Sequence, residues 1–313
     1  DDVIAGGEGD DEIEAGAGDD VVDAGTGDDE IDGGDGNDVI QAGDGDDEIA
    51  AGDGDDIADA GAGDDKVEGE DGDDVLYGGA GSDCLIGADG EDVLRGDSGN
   101  DVLKGGDGDD SLDGGQGCDT VIAGAGDDVV IASLDAAADC LDGGSGTDTL
   151  DLSGTSCGVT VDLTEKKAVG IEIGSDTVVD FEALIGGDGD DRFIVGSSSM
   201  VLSGGGGDDR FEFHVPEEAQ NDLIHQILDL HEGDRIVIKQ YEIHSDAAAG
   251  GTEIDPFSET YGDSGEDGRP FRFRIEKIND EERTYIDVFA TQQDDKDLSI
   301  EIYGNHKLYY YSY

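Results

Sequence analysis

Tryptophan is absent from the 313 residues, methionine occurs once and proline three times. With only eight Phe and nine Tyr besides, the chain lacks the large side chains that fill an ordinary globular core of this length. Basic residues are scarce too: 16 Lys and Arg stand against 84 Asp and Glu, a formal net charge of -68. Nucleic acid and anionic membrane surfaces both need clustered Lys and Arg, so neither is an expected partner. Apolar runs never approach the roughly 18 residues of a spanning helix. The opening DDVIAGGEGDD has neither the basic start nor the apolar centre of an ordinary secretory signal. Divalent cations are the natural counter-ions for what remains.

What is abundant is glycine and acid, and neither is spread evenly. Residues 1–151 hold 49 of the 84 acids, three basic residues (Lys66, Arg95, Lys104) and one aromatic, Tyr77. All five histidines lie after residue 151. Composition alone would make the first half a disordered acidic segment, because low hydrophobicity with high net charge does not offset the entropy of ordering. Periodicity overturns that reading.

From Gly6 the chain runs GGEGDDEIE, AGAGDDVVD, AGTGDDEID, GGDGNDVIQ and onward at a period of nine, without insertion, through fourteen units to Ile131. Position four is always Gly, position six always Asp, and position eight is Ile, Val or Leu except at Ala58. A strand alternates faces, so the position-eight aliphatic points inward while positions seven and nine point outward. One buried aliphatic per unit makes a thin core. The glycine-rich half is expected to form a tight turn whose carbonyls face a common point. Hard Ca²⁺ takes about six to eight oxygens, and such a turn plus one Asp carboxylate supplies only part of that set. A neighbouring turn must supply the rest. Carboxylates about 5 Å apart repel by roughly 3 kcal/mol at an effective dielectric near 20, so the repeat is expected to be unfolded without Ca²⁺ and folded with it. The nine-residue period excludes both the twelve-residue EF-hand loop and collagen.

The units resemble the GGxGxDxUx nonapeptide of RTX (repeats-in-toxin) proteins. That resemblance implies an all-β, right-handed parallel β-roll in which two units make one turn, so that like positions recur every eighteen residues in two ladders. It places calcium between turns, on position-six carboxylates and main-chain carbonyls. The implied ligands are Asp11, Asp20, Asp29, Asp38, Asp47, Asp56, Asp65, Asp74, Asp83, Asp92, Asp101, Asp110, Asp119 and Asp128, with about twelve ions between them. Position two is Glu70, Ala88 and Asp97 in three units, where distorted turns are expected.

The period breaks at ASLDAAADCLD, read as a loop or helical excursion over 132–142, and resumes once at GGSGTDTLD. A strand-rich linker and two further units, GGDGDDRFI and GGGGDDRFE, occupy 152–213 and add Asp148, Asp191 and Asp209 to the candidate ligands, with Asp208 beside the last. Residues 214–313 are expected to form a β-rich cap. Its NDLIHQILDLHEGDRIVI segment and its end, with a GNHKL turn, resemble the C-terminal part of type I secretion substrates. The resemblance therefore implies a secreted, extracellular chain whose partners are calcium ions and, in transit, the type I secretion machinery. Export unfolded, followed by calcium-driven folding from the capped end, is the expected order. Since DDVIA matches positions five to nine of a truncated unit, the chain is expected to start within a longer array, with an effector part before it.

Other features carry less. His214, His225, His231, His244 and His306 form no HExxH pair, and no GxSxG surrounds a serine, so no enzyme is expected within these residues. The Asp255-Pro256 bond reads as an ordinary turn. Cys84 and Cys118 fall about 10 Å apart on one ladder, too far for a disulfide. Cys140 and Cys157 are open to pairing or to remaining free thiols. The second functional reading is a glycan- or surface-binding module of a polysaccharide-modifying enzyme or adhesin, presenting positions seven and nine.

Overall fold

The computed structural model describes residues 1–196, 198–214, 224–238, 241–244, 252–253, 271–278, 281–288, 298–303 and 309–312. Every regular element among them is a strand. The Asp255-Pro256 bond, His306 and the turn at 304–308 lie outside the described residues. The chain divides into two compact units, Asp1–Asp151 with Glu172–Phe181, and Leu152–Ile171 with Glu182–Tyr313.

The first unit is a parallel β-roll. One sheet stacks Val3–Glu8, Val21–Thr26, Val39–Asp44 and their successors, and the other stacks Glu12–Ala17, Glu30–Asp35, Glu48–Asp53 and theirs. Register is eighteen residues from Val3 as far as Ile131, as in Val21↔Val39 and Ile31↔Ile49. Strands alternate between the sheets because one unit is too short to return to its own sheet, whereas two units close a turn.

Position eight faces the interior along the whole array, and Val22, Ile40, Leu76, Leu94 and Leu112 are all buried. The strands are longer than the sequence pattern suggests. Val21–Thr26 covers positions seven to nine of one unit and one to three of the next, so the first glycines belong to a strand and the turn shrinks to positions four to six. Position one consequently faces inward as well, and Ala24, Ala42, Ala51, Ala60 and Ala123 widen the core.

Glycine is demanded at position two by both angle and contact. Gly34 has a φ of 105°, and a Cβ there would fall on the Gly16 carbonyl of the preceding turn. Glu70, Ala88 and Asp97 keep the same left-handed backbone, at φ 80°, 91° and 67°, so the roll continues through them at a strain of about 1–3 kcal/mol each. Segment 132–139 is an irregular loop rather than a helix. It adds two residues to a turn, so Asp119 pairs with Asp139, twenty positions on.

Within the second unit, Ala183–Ile185, Val201–Ser203, Ile224–Ile227 and Leu298–Tyr303 pair in parallel in one sheet. Thr160–Asp162, Arg192–Val195, Arg210–Phe213 and Arg235–Ile238 do so in another. Antiparallel strands then appear, including Phe271–Ile278 with Glu281–Val288. Its core is aromatic: Phe193 and Phe211 meet edge to face at 5.8 Å, and Phe213 lies 4.7 Å from His225.

Candidate metal centre

The eighteen-residue register stacks position six of each turn over position six of the next. In one row the backbone N–H of Asp20 donates to Asp38 Oδ1 at 2.7 Å, Asp38 to Asp56 at 2.7 Å, and Asp56 to Asp74 at 2.8 Å, continuing through Asp92 and Asp110 to Asp128. In the other, Asp11 donates to Asp29 at 2.8 Å, and the pattern runs through Asp47, Asp65, Asp83 and Asp101 to Asp119. Each carboxylate thus reaches back one turn. All of these are buried except Asp11, which is half-buried.

Only one oxygen of each is used by these bonds. Oδ2 of every position-six Asp from Asp11 to Asp128, and of Asp209, is buried with no hydrogen-bond partner. From Asp38 to Asp128, and at Asp209, burial pushes the carboxyls up against the lowering effect of the N–H bond, with neighbouring carboxylates adding to the rise. Asp56, Asp65 and Asp119 reach about 6, and Asp74, Asp101, Asp110 and Asp209 about 7. Two rows of desolvated, half-satisfied anions are untenable as they stand, because a buried charge needs a partner.

The surroundings of Oδ2 point to that partner. A Cβ built on Gly33 would touch both Asp38 Oδ2 and the Ala51 carbonyl of the next turn, and one on Gly69 would touch Asp74 Oδ2 and the Gly87 carbonyl. Carboxylate and main-chain oxygens therefore converge on the same point between turns. No nitrogen or sulfur donor takes part in that convergence, and an all-oxygen set of mixed charge suits a hard divalent cation such as Ca²⁺. Among the described residues no three Asp, Glu, His or Cys side chains cluster, so carbonyls must complete the coordination.

A second row, on the outside, went unnoticed in the sequence because position five reads there as variable. Asp10 Oδ1 accepts the N–H of Asp28 at 3.1 Å, Asp28 that of Asp46 at 3.0 Å, and Asp46 that of Asp64 at 2.9 Å. These side chains reach forward one turn and are exposed. Asp208 belongs here, its N–H donating to Asp190, and is thereby separated from the buried Asp209.

The remaining candidates divide. Asp148 is buried and accepts the N–H of Asp128 at 3.0 Å, extending its row. Asp191 is buried but both its oxygens accept N–H groups, from Val159 at 2.7 Å and Gly187 at 3.0 Å. Three ladder members were missed: Asp139, Asp176 and Asp234 accept the N–H groups of Asp119, Asp139 and Asp209. Their signal was the second half of the motif alone, as in DCLD, DTVVD and DRIV. Cys84, Cys118 and Cys140 are free thiols. His225 is buried with both ring nitrogens unpartnered, and burial lowers it to about 4, leaving it neutral at pH 7.

A stacked roll with two internal carboxylate rows defines a calcium-binding repeat protein of the RTX class. The model for the RTX calcium-binding nonapeptide repeat matches in overlapping copies from 1–31 to 119–150. The chain belongs to the family described as Peptidase M10 serralysin C terminal, whose model matches residues 140–310. No curated protein matches the sequence.

Proposed function

We propose that this chain is a calcium-responsive folding module, unfolded where calcium is scarce and folded outside the cell, serving type I secretion and the stability of an attached effector. The observation that carries the reading is the row of buried, unpartnered Oδ2 atoms from Asp11 to Asp128. Position-six carboxylates from Asp11 to Asp128, with Asp148 and Asp209, would hold about twelve or more ions jointly with main-chain carbonyls. Bound calcium supplies the positive charge that the 84 acids lack.

The chain's own residues do the rest. Without the cation, repulsion along the rows and desolvation of each carboxylate oppose stacking, and the thin aliphatic core is too small to overcome them. With it, binding free energy becomes folding free energy, because the carbonyl and carboxylate oxygens come together only in stacked turns. Residues 214–313 serve as cap and secretion signal in this reading, which is supported by the family matched there. The module itself is non-catalytic, in keeping with a sequence that lacks HExxH.

Circular dichroism during a Ca²⁺ titration, with Mg²⁺ as control, tests the proposal. A cooperative coil-to-β transition with Ca²⁺ and none with Mg²⁺ is expected. Full β structure in chelator would overturn it.

A further inference from the structure

At the turn 203–205 the strand Val201–Ser203 stops earlier than most strands of the first unit do. In most of that unit's repeats positions one and two lie within paired strands, as Gly33 and Gly34 do in Glu30–Asp35, although Ser111–Asp113, Val129–Ile131 and Thr149–Asp151 also stop at position nine. In the second unit the strand stops at Ser203, and the next two N–H groups lose strand carbonyls as acceptors. Asp229 takes their place. The Gly204 N–H donates to its Oδ1 at 2.8 Å, the Gly205 N–H to its Oδ2 at 2.9 Å, and the Ser203 hydroxyl to Oδ2 at 2.6 Å.

Asp229 stands at position one of a degenerate last unit, DLHEGDRIV, whose position six is Asp234. Asp234 is likewise occupied at both oxygens: Oδ1 accepts the Asp209 N–H at 2.9 Å and Oδ2 the His231 N–H at 2.5 Å. Several N–H and O–H donors favour the anion of a carboxylate against the cost of burial and stand where a cation would otherwise be needed. In polarity this is the reverse of the ladder, where oxygen faces oxygen.

We propose that Asp229 is a metal-independent cap on the end of the strand Val201–Ser203, which holds the turn at 203–205 closed when no calcium is bound. Resting on the reading of the ladder as calcium-dependent, it means that calcium depletion unfolds the repeats but leaves Val201–Ser203, Arg210–Phe213 and Ile224–Ile227 stacked. Phe211, Phe213 and Ile227, all buried, give that remnant an apolar centre larger than any repeat in the first unit has. Asp229 is therefore a positioning residue whose role is to close a strand end with its own two oxygens.

Amide hydrogen exchange of the full chain, followed by mass spectrometry in chelator and in Ca²⁺, tests this. In chelator, amides of 201–213 should stay protected while those of 12–131 exchange as unstructured chain. D229N removes one acceptor oxygen and the charge, and should speed exchange at 203–205 in chelator by about tenfold or more. It should also make protection there depend on calcium, a change that loss of general stability would not produce. D229E, which keeps both oxygens, should restore part of the protection.

Should D229N fail to fold in Ca²⁺ as well, S203A removes a single donor and should speed exchange only a few-fold; no change would overturn the proposal. Wild-type amides at 201–213 exchanging freely in chelator, and protected only with Ca²⁺, would overturn it too while leaving the ladder reading intact. Protection of 12–131 in chelator would instead defeat the calcium-folding reading.

Discussion

Asp74 and Asp191 occupy the same position of the same repeat, in different units of the molecule, and are satisfied differently. Asp74 has one N–H donor and a bare Oδ2, whereas Asp191 has an N–H on each oxygen; burial raises both carboxyls, Asp74 to about 7. The surroundings differ in step. Around Asp74 the core is aliphatic, with Leu76 and Leu85, while after Asp191 it is built on Phe193 and Phe211. Identical motif positions thus meet different numbers of backbone donors, one at Asp74 and two at Asp191.

The comparison can be broken most sharply at the aromatic core. Phe193→Ser with Phe211→Ser should abolish the calcium-induced circular dichroism change over the whole chain, since even truncation of one such Phe costs about 3–5 kcal/mol. Loss of only the last turns would show that the repeats fold without that core.

Asp74→Asn comes next. It should raise the calcium concentration for half-folding by on the order of tenfold, because ligand charge sets Ca²⁺ affinity. Asp191→Asn should shift the same midpoint much less, as its oxygens are already held. Equal shifts would erase the distinction between the two carboxylates.

Acidity sharpens it further. The row carboxyls rise on folding to about 6 at Asp56 and about 7 at Asp74 and Asp110, through burial first. A raised carboxyl contributes metal-free stability that is present below about pH 4 and lost as pH climbs through those values. In chelator, β structure should therefore fade between about pH 4 and 7. In Ca²⁺ the sign reverses, since protons compete for the same oxygens, and the folding midpoint should move to higher calcium as pH drops from about 8 to 5. A midpoint independent of pH would remove these carboxylates from the binding reaction.

The smallest effect lies in the backbone. Glu70→Gly relieves a left-handed φ of 80° and should stabilise the calcium-loaded chain by about 1 kcal/mol in thermal melts, within the range such strain carries. A melting temperature lowered by the change would mean the Glu70 side chain makes a contact worth more than the strain.

Much of this was legible in the sequence. Gly at position four and Asp at position six set the nine-residue period, the family resemblance implied the eighteen-residue stacking and both rows, and position eight named the core. The strand boundaries were less legible, because glycine signals a turn by its angles, and the left-handed residues here sit inside strands, braced by the turn before them. Asp139, Asp176 and Asp234 escaped because only half their motif survives; a degenerate unit keeps the strand and its aspartate and drops the glycines. Asp229 gave no signal at all. Its role arises from where a strand happens to stop, which no local pattern records.

The inner and outer carboxylate rows reach in opposite directions, Asp38 back to Asp20 and Asp28 forward to Asp46. Where both kinds of contact meet on one turn, as at Asp29 reaching back to Asp11 beside Asp28 reaching forward to Asp46, a strand shifted by one residue along its neighbour would break both at once, whichever way it moved. The two rows thus act as opposed pawls on one rack. In a chain of near-identical units, where hydrophobic pattern alone would tolerate many pairings, they make slippage costly in either sense and select a single alignment for every turn.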